Sequence, residues 1–166
     1  MTCVFACRSM YGADMIPKVK MSMLEFYDIL RSEVAYSNEM TSYIDSEGLQ
    51  HYINESDYIS YIGVVDSLLL RDDITIKLEK YEQLCNFHNG TCHVFYAKPN
   101  SPSFGIHTDP VDLVLQVTHG SKTLEINDIE ITAHNGHCLF VPAETPHRAL
   151  NKDNSIMLSW GLNDST

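Results

Sequence analysis

The sequence predicts a mainly β, single-domain protein: a barrel or sandwich of short strands with helices packed outside it. Three observations carry this expectation. From residue 74 onward, short apolar stretches of strand length recur at near-regular spacing, separated by turn-forming pairs. Before residue 70 the apolar residues recur instead at helical spacing. At 166 residues the chain is sized for a single core that buries most of its apolar surface.

The elements are expected in this order. Residues 1–70 form a mostly helical N-terminal part. Within it, Ser22 followed by Glu25 is a capping-box signature, and Met23, Phe26, Tyr27, Leu30 and Val34 make one apolar face. Ser46–Tyr61 is polar and aromatic and reads as short helices or loops, and Val64–Leu70 is an apolar run that suits either helix or buried strand. The β-core follows over residues 74–162. Its strands are Ile74–Tyr81, Cys92–Ala97, Leu113–Val117, Thr123–Ile126, Ile129–Thr132, Cys138–Val141 and Ser155–Leu162. Asn86–Gly90, Pro99–Pro102, His119-Gly120, Asn127-Asp128 and Asn135-Gly136 are the turns between them.

Composition narrows the function classes. The formal net charge of −11 repels phosphate backbones and argues against general nucleic-acid binding. It suits a basic protein segment or a small neutral or cationic substrate. No window approaches 18 continuous apolar residues, so no membrane helix is expected. The start lacks a basic n-region, which places the protein in the cytoplasm. The five cysteines (3, 7, 85, 92 and 138) match no zinc-ribbon spacing and read as free thiols, with Cys85 and Cys92 near enough in sequence to approach across a turn.

The chemistry centres on His107-Thr108-Asp109. Alternate residues of a strand point to one face, so His107 and Asp109 are able to hold one metal together. A second histidine would complete a set of two imidazoles and one carboxylate, which leaves open positions for oxygen and a co-substrate. The triplet alone is uninformative, because roughly 0.6 H-x-D matches are expected by chance in a chain with this many histidines and aspartates. A second segment gives it context. It runs Gly136-HCLFV-Pro142-AET-Pro146-His147-RAL-Asn151, in which a hairpin glycine, a strand and a proline-framed turn aim His147 inward.

That segment resembles the second conserved motif of the cupin superfamily, G(X)5PXG(X)2H(X)3N. Gly136, Pro142, His147 and Asn151 fall at the motif's positions, and Glu144 stands where the family has its second glycine. The first cupin motif is matched in altered form: His107-Thr-Asp109 replaces H-X-H, Gly120 takes the later glycine position, Ser101 replaces the opening glycine and Leu113 replaces the glutamate. Loss of that glutamate removes the four-ligand site of many cupins and leaves a facial triad. Within the superfamily the chain is similar to the JmjC-type 2-oxoglutarate oxygenases, through FGIHTD at 104–109, GSK at 120–122 and GHCLFVPAETPHRA at 136–149. This resemblance covers about residues 90–162.

It implies a double-stranded β-helix (cupin or jelly-roll barrel), Fe(II) held by His107, Asp109 and His147, and 2-oxoglutarate and O2 as co-substrates. Lys122, thirteen residues after Asp109, sits where the family has a lysine for the far carboxylate of 2-oxoglutarate. Tyr96, Ser103 and Ser159 are candidates for a hydroxyl that assists it. The plain alternative for Lys122 is an exposed lysine in a His119–Lys122 turn. His134, His137 and His119 read as turn residues, Arg148 as half of a structural salt bridge, Trp160 and Tyr96 as barrel core rather than substrate platforms, and Asp112 and Glu144 as solvated loop carboxylates.

The expected activity is hydroxylation or demethylation of an unidentified substrate, either a small molecule or a protein side chain. Two other readings stay open: a cupin metalloenzyme that does not use 2-oxoglutarate, and a non-catalytic cupin module that binds a small ligand. A homodimer is compatible with the sequence, although no dimerisation segment stands out.

Overall fold

A computed structural model describes residues 2–3, 20–30, 41–53, 74–77 and 91–162. The described elements are β1 (Thr2–Cys3), α1 (Met23–Leu30), β2 (Thr41–Ile44), β3 (Gln50–Ile53), β4 (Ile74–Lys77), β5 (Thr91–Ala97), β6 (Asp112–Ile126), β7 (Ile129–His134), β8 (His137–Val141), β9 (His147–Ala149) and β10 (Ser155–Leu162). The main sheet has the strand order β1-β8-β6-β10-β5-β4-β2-β3, with β7 and β9 paired to the far half of β6. All described pairings are antiparallel except that of β1 with β8. The architecture is a mainly β jelly-roll of the cupin type.

Strand β10 shows how the layers are arranged. All eight of its residues are buried, because both of its faces are covered. Ile156, Leu158, Trp160 and Leu162 join Cys92, Val94 and Tyr96 of β5 in a core on the outer face of the sheet. Met157, Ser159 and Gly161 point the other way, with Thr91, His93 and Phe95 of β5, into a cavity. Helix α1 closes the outer face. Ser22 Oγ accepts a hydrogen bond from the Glu25 N–H at 3.2 Å, which caps the helix as the sequence suggests. Phe26 and Leu30 are fully buried, and Phe26 stacks on Tyr96 with ring centroids 5.2 Å apart. Each burial of this kind stabilises by about 1.5–3 kcal/mol. Trp160 keeps its polar end satisfied by donating from Nε1 to Gln116 Oε1 at 3.0 Å.

The expectation of a mostly helical segment to residue 70 lies largely outside the described residues. Among its described residues α1 is accompanied by the hairpin β2–β3, which extends the main sheet. Asp45 builds the turn: its Oδ1 accepts from the N–H groups of Glu47 and Leu49, and Gly48 takes a φ of +84°. His51 hydrogen-bonds the other carboxylate oxygen at 2.7 Å and, together with the turn N–H groups, holds the Asp45 carboxyl below its usual range. Val34, Val64–Leu70, Asn86–Gly90, Cys7 and Cys85 lie outside the described residues. Cys92 and Cys138 are buried in the outer core. Among the described residues no helix is long and apolar enough to cross a membrane.

One departure bears directly on the site. His119-Gly120 is not a turn, because β6 runs unbroken from Asp112 to Ile126. Its first half pairs with β8 and β10, and its second half with β7 and β9. Opposite β10 the register slips between Ile156 and Met157, whose partners are His119 and Val117, so Thr118 is an extra residue. This bulge inverts the strand's parity. Before it Leu113, Leu115 and Val117 face the inner cluster; after it Leu124 and Ile126 do. Lys122 shares the parity of the second set, and it is buried rather than exposed at a turn. Gly120, with a φ of +66°, lies two residues after the extra residue. The Asn127-Asp128 and Asn135-Gly136 turns form as expected, with φ of 50° and 63° at the first pair and 91° at Gly136.

Candidate metal centre

His107 lies in the segment between β5 and β6, and His147 opens β9. The two residues exchange both main-chain hydrogen bonds, His107 N to His147 O at 3.1 Å and His147 N to His107 O at 3.0 Å. In an antiparallel pair this sets both side chains on one face, and the imidazole centroids are 4.4 Å apart. Asp109 follows two residues after His107. Its Oδ2 is 3.7 Å from His107 Nε2 and 3.1 Å from His147 Nε2. One ligand atom from each of the three residues lies within 4.8 Å of the others, and among the described residues this is the group of histidines and carboxylates so gathered.

The rings are fixed from behind. His107 Nδ1 is 2.7 Å from Gly105 O, and His147 Nδ1 is 2.8 Å from Thr145 O. A carbonyl oxygen only accepts, so each Nδ1 carries the proton and donates. In the neutral ring this leaves each Nε2 lone pair directed at the shared point, the arrangement that backs metal-binding histidines. Two imidazoles and one carboxylate, all on one side, suit a divalent transition metal with coordination positions left open. His147 is buried at 6% exposure while His107 is exposed, so the triad runs from the rim into the interior.

The triad opens on a cavity of about 370 Å3. Leu113, Leu115, Leu124, Met157 and Phe95 make its apolar wall, and Lys122, Ser159, Ser103, Thr91 and His93 are among its polar lining. Leu113 thus fills with hydrocarbon the position at which four-ligand cupins carry a glutamate. Lys122 is 1% exposed, and its Nζ donates to Asn151 Oδ1 at 2.7 Å.

Of the hydroxyl candidates, Ser159 and Ser103 line this cavity and Tyr96 does not. Tyr96 sits on the opposite face of β5, against Phe26, and burial pushes its phenol above the usual value, with Tyr27 adding to the effect. The correction follows from strand parity, since Thr91, His93 and Phe95 occupy the inner face. His93 and Thr91, which no motif marked, take places on the cavity wall.

The remaining residues have structural partners. Arg148 donates to Glu125 at 3.2 Å. His137 Nδ1 accepts from the His134 N–H at 3.2 Å across their turn. Asp112, expected in solvent, instead accepts the Ala143 N–H at 2.7 Å and pins the turn before β9.

Glu144 takes the left-handed conformation, φ +61°, at the position where the cupin motif has glycine. The Glu144 N–H donates to Asp109 O at 2.8 Å, which ties this turn to the segment carrying the triad. A side chain in that conformation costs about 1–2 kcal/mol, part of which glycine would return as backbone entropy. Glu144→Gly is therefore expected to raise stability by roughly 0.5 kcal/mol. A urea titration of the two proteins checks this, and a lower midpoint for the variant would contradict it.

No protein-family model matches the sequence, and no curated protein matches it either. Solved structures match the fold. A ribosomal oxygenase from Escherichia coli, YcfD, solved in complex with cobalt and succinic acid, has a TM-score of 0.62 at 12% identity, covering 88% of this chain and 44% of that one. A cupin 2 conserved barrel domain protein from Leptotrichia buccalis matches at 18% identity over 55% of this chain and 41% of that one, with a TM-score of 0.46. A cupin superfamily protein from Desulfitobacterium hafniense matches at 18% identity over 57% and 82%, with the same TM-score. The chain spans less than half of the oxygenase's length. Fold and site together define a cupin-fold protein with a candidate His–Asp–His metal centre.

Proposed function

We propose that this chain is an Fe(II)- and 2-oxoglutarate-dependent dioxygenase that hydroxylates or demethylates a substrate, with a protein side chain as the favoured class. The observation that carries the reading is Lys122, buried on the wall of the cavity that holds the triad. A cation in a largely apolar enclosure attracts an anion far more strongly than one in water. A dicarboxylate with one end at the triad would meet this ammonium with the other. The structural likeness to a ribosomal oxygenase bound to cobalt and succinic acid supports the same reading.

His107, Asp109 and His147 would hold the iron from one side and leave its other positions free. When bound there, iron supplies the oxygen activation that couples conversion of 2-oxoglutarate to succinate and CO2 with oxidation of the substrate. The chain's own contribution is positional. Gly105 O and Thr145 O fix the imidazole tautomers. Leu113, Leu115, Leu124 and Met157 line the cavity with hydrocarbon. Phe104 sets its ring edge-on to His107 at 6.2 Å. The acidic chain, at −11, favours a basic protein segment or a cationic small molecule over nucleic acid as substrate.

The test is succinate release from 2-oxoglutarate by protein reconstituted anaerobically with Fe(II) and then given oxygen. His107→Ala is expected to lower that release, and the Fe(II) affinity, by on the order of 100-fold or more. A fully active His107→Ala protein, or a parent protein that binds Fe(II) but never consumes 2-oxoglutarate, would remove this reading. The second outcome would favour a cupin metalloenzyme of another type.

A further inference from the structure

Asn151 lies between β9 and β10 at 4% exposure, and every polar group on its side chain is used. Its Oδ1 accepts from Lys122 Nζ at 2.7 Å. Its Nδ2 donates to two carbonyls, Ser101 O at 3.2 Å and Pro102 O at 3.4 Å. Its main-chain oxygen accepts from the Asn100 N–H at 2.7 Å. The 100–102 segment that it fastens leads through Ser103 and Phe104, which line the cavity, to His107.

These contacts allow one orientation of the amide and one residue type. Turned over, the NH2 would face an ammonium and the carbonyl oxygen would face two carbonyl oxygens. Aspartate has the same shape but lacks the donor, so its second oxygen would be set against Ser101 O and Pro102 O. Its charge would also neutralise Lys122 at the place where an incoming carboxylate needs a cation.

We infer that Asn151 is a positioning residue that sets the selectivity of the cavity for a dicarboxylic over a monocarboxylic 2-oxo acid. It aims the Lys122 ammonium while staying uncharged, and the same amide ties that anchor to the segment entering His107. This rests on the 2-oxoglutarate reading given above.

The experiment compares binding of 2-oxoglutarate and of pyruvate, which has the same 2-oxo acid end and no far carboxylate. Both are titrated by calorimetry into full-length protein loaded with Mn(II), so no turnover is involved. The parent protein is expected to prefer 2-oxoglutarate. Asn151→Asp is expected to weaken 2-oxoglutarate by at least about tenfold and pyruvate by less than about threefold. Asn151→Ser serves as the second variant, with the same direction expected, and decides the matter if the aspartate variant lacks a cooperative melt. A residue that merely braced the fold would weaken both ligands alike. That result, or an unchanged preference in the Asn151 variants beside a lost preference in Lys122→Met, overturns the role of Asn151 and leaves the co-substrate reading standing. A parent protein with no preference overturns both.

Discussion

Replacing Gly120 with alanine is expected to destabilise the fold by roughly 2–5 kcal/mol, a large share of the whole stability of a domain this size. A β-carbon there would lie 1.9 Å from Asn154 O and 3.0 Å from its carbonyl carbon, and both are backbone atoms that a rotamer change cannot move. The φ of +66° adds the left-handed cost. The surroundings have little room to yield. Gly120 O accepts from the Asn135 N–H at 2.9 Å, Asn154 O accepts from the Ser121 N–H, and Ser121 Oγ donates to Asp153. The urea midpoint of Gly120→Ala measures the effect, and a loss below about 1 kcal/mol would mean that the bulge relaxes freely.

Lys122→Met is expected to weaken 2-oxoglutarate binding on the order of 30- to 150-fold, the worth of a charge-assisted hydrogen-bonded contact of about 2–3 kcal/mol. Methionine keeps much of the lysine stem's volume in the inner cluster, so the fold is expected to persist. Calorimetry with Mn(II)-loaded protein reads the loss, and the far-ultraviolet circular dichroism spectrum checks the fold. If the variant binds 2-oxoglutarate as the parent does, the ammonium is not the carboxylate anchor, and the cavity must be assigned to a different ligand.

The parts of the site that the sequence revealed are those set by short-range geometry. Gly136, Pro142 and His147 are spaced by a turn, a strand and a second turn, so their separation along the chain translates directly into position. His107 and Asp109 depend on nothing more than two residues of extended chain. The parts that stayed hidden depend on parity. The run Cys92–Ala97 carries apolar or aromatic groups on both faces, so nothing local told that His93 faces the cavity, and Tyr96 reads both as core, where it lies, and as a hydroxyl candidate. The Thr118 bulge carries the same residue types as a turn, and Gly120 was read as one. The hairpin β2–β3 shows no alternation because Gln50, His51 and Tyr52 are all exposed.

The main-chain ladder between His107 and His147 has a consequence for the apoprotein. Because the imidazoles are placed by the backbone and locked by carbonyl acceptors, the donor set exists before any ion arrives. Little ordering entropy remains for the ion to overcome, so capture is governed by dehydration of the cation rather than by rearrangement of the protein. An ion seated there would act as a rivet between two segments forty residues apart, and local opening of the barrel rim would then require its release. With an ion bound, metal supply would then govern how often the rim opens as well as whether the centre is filled.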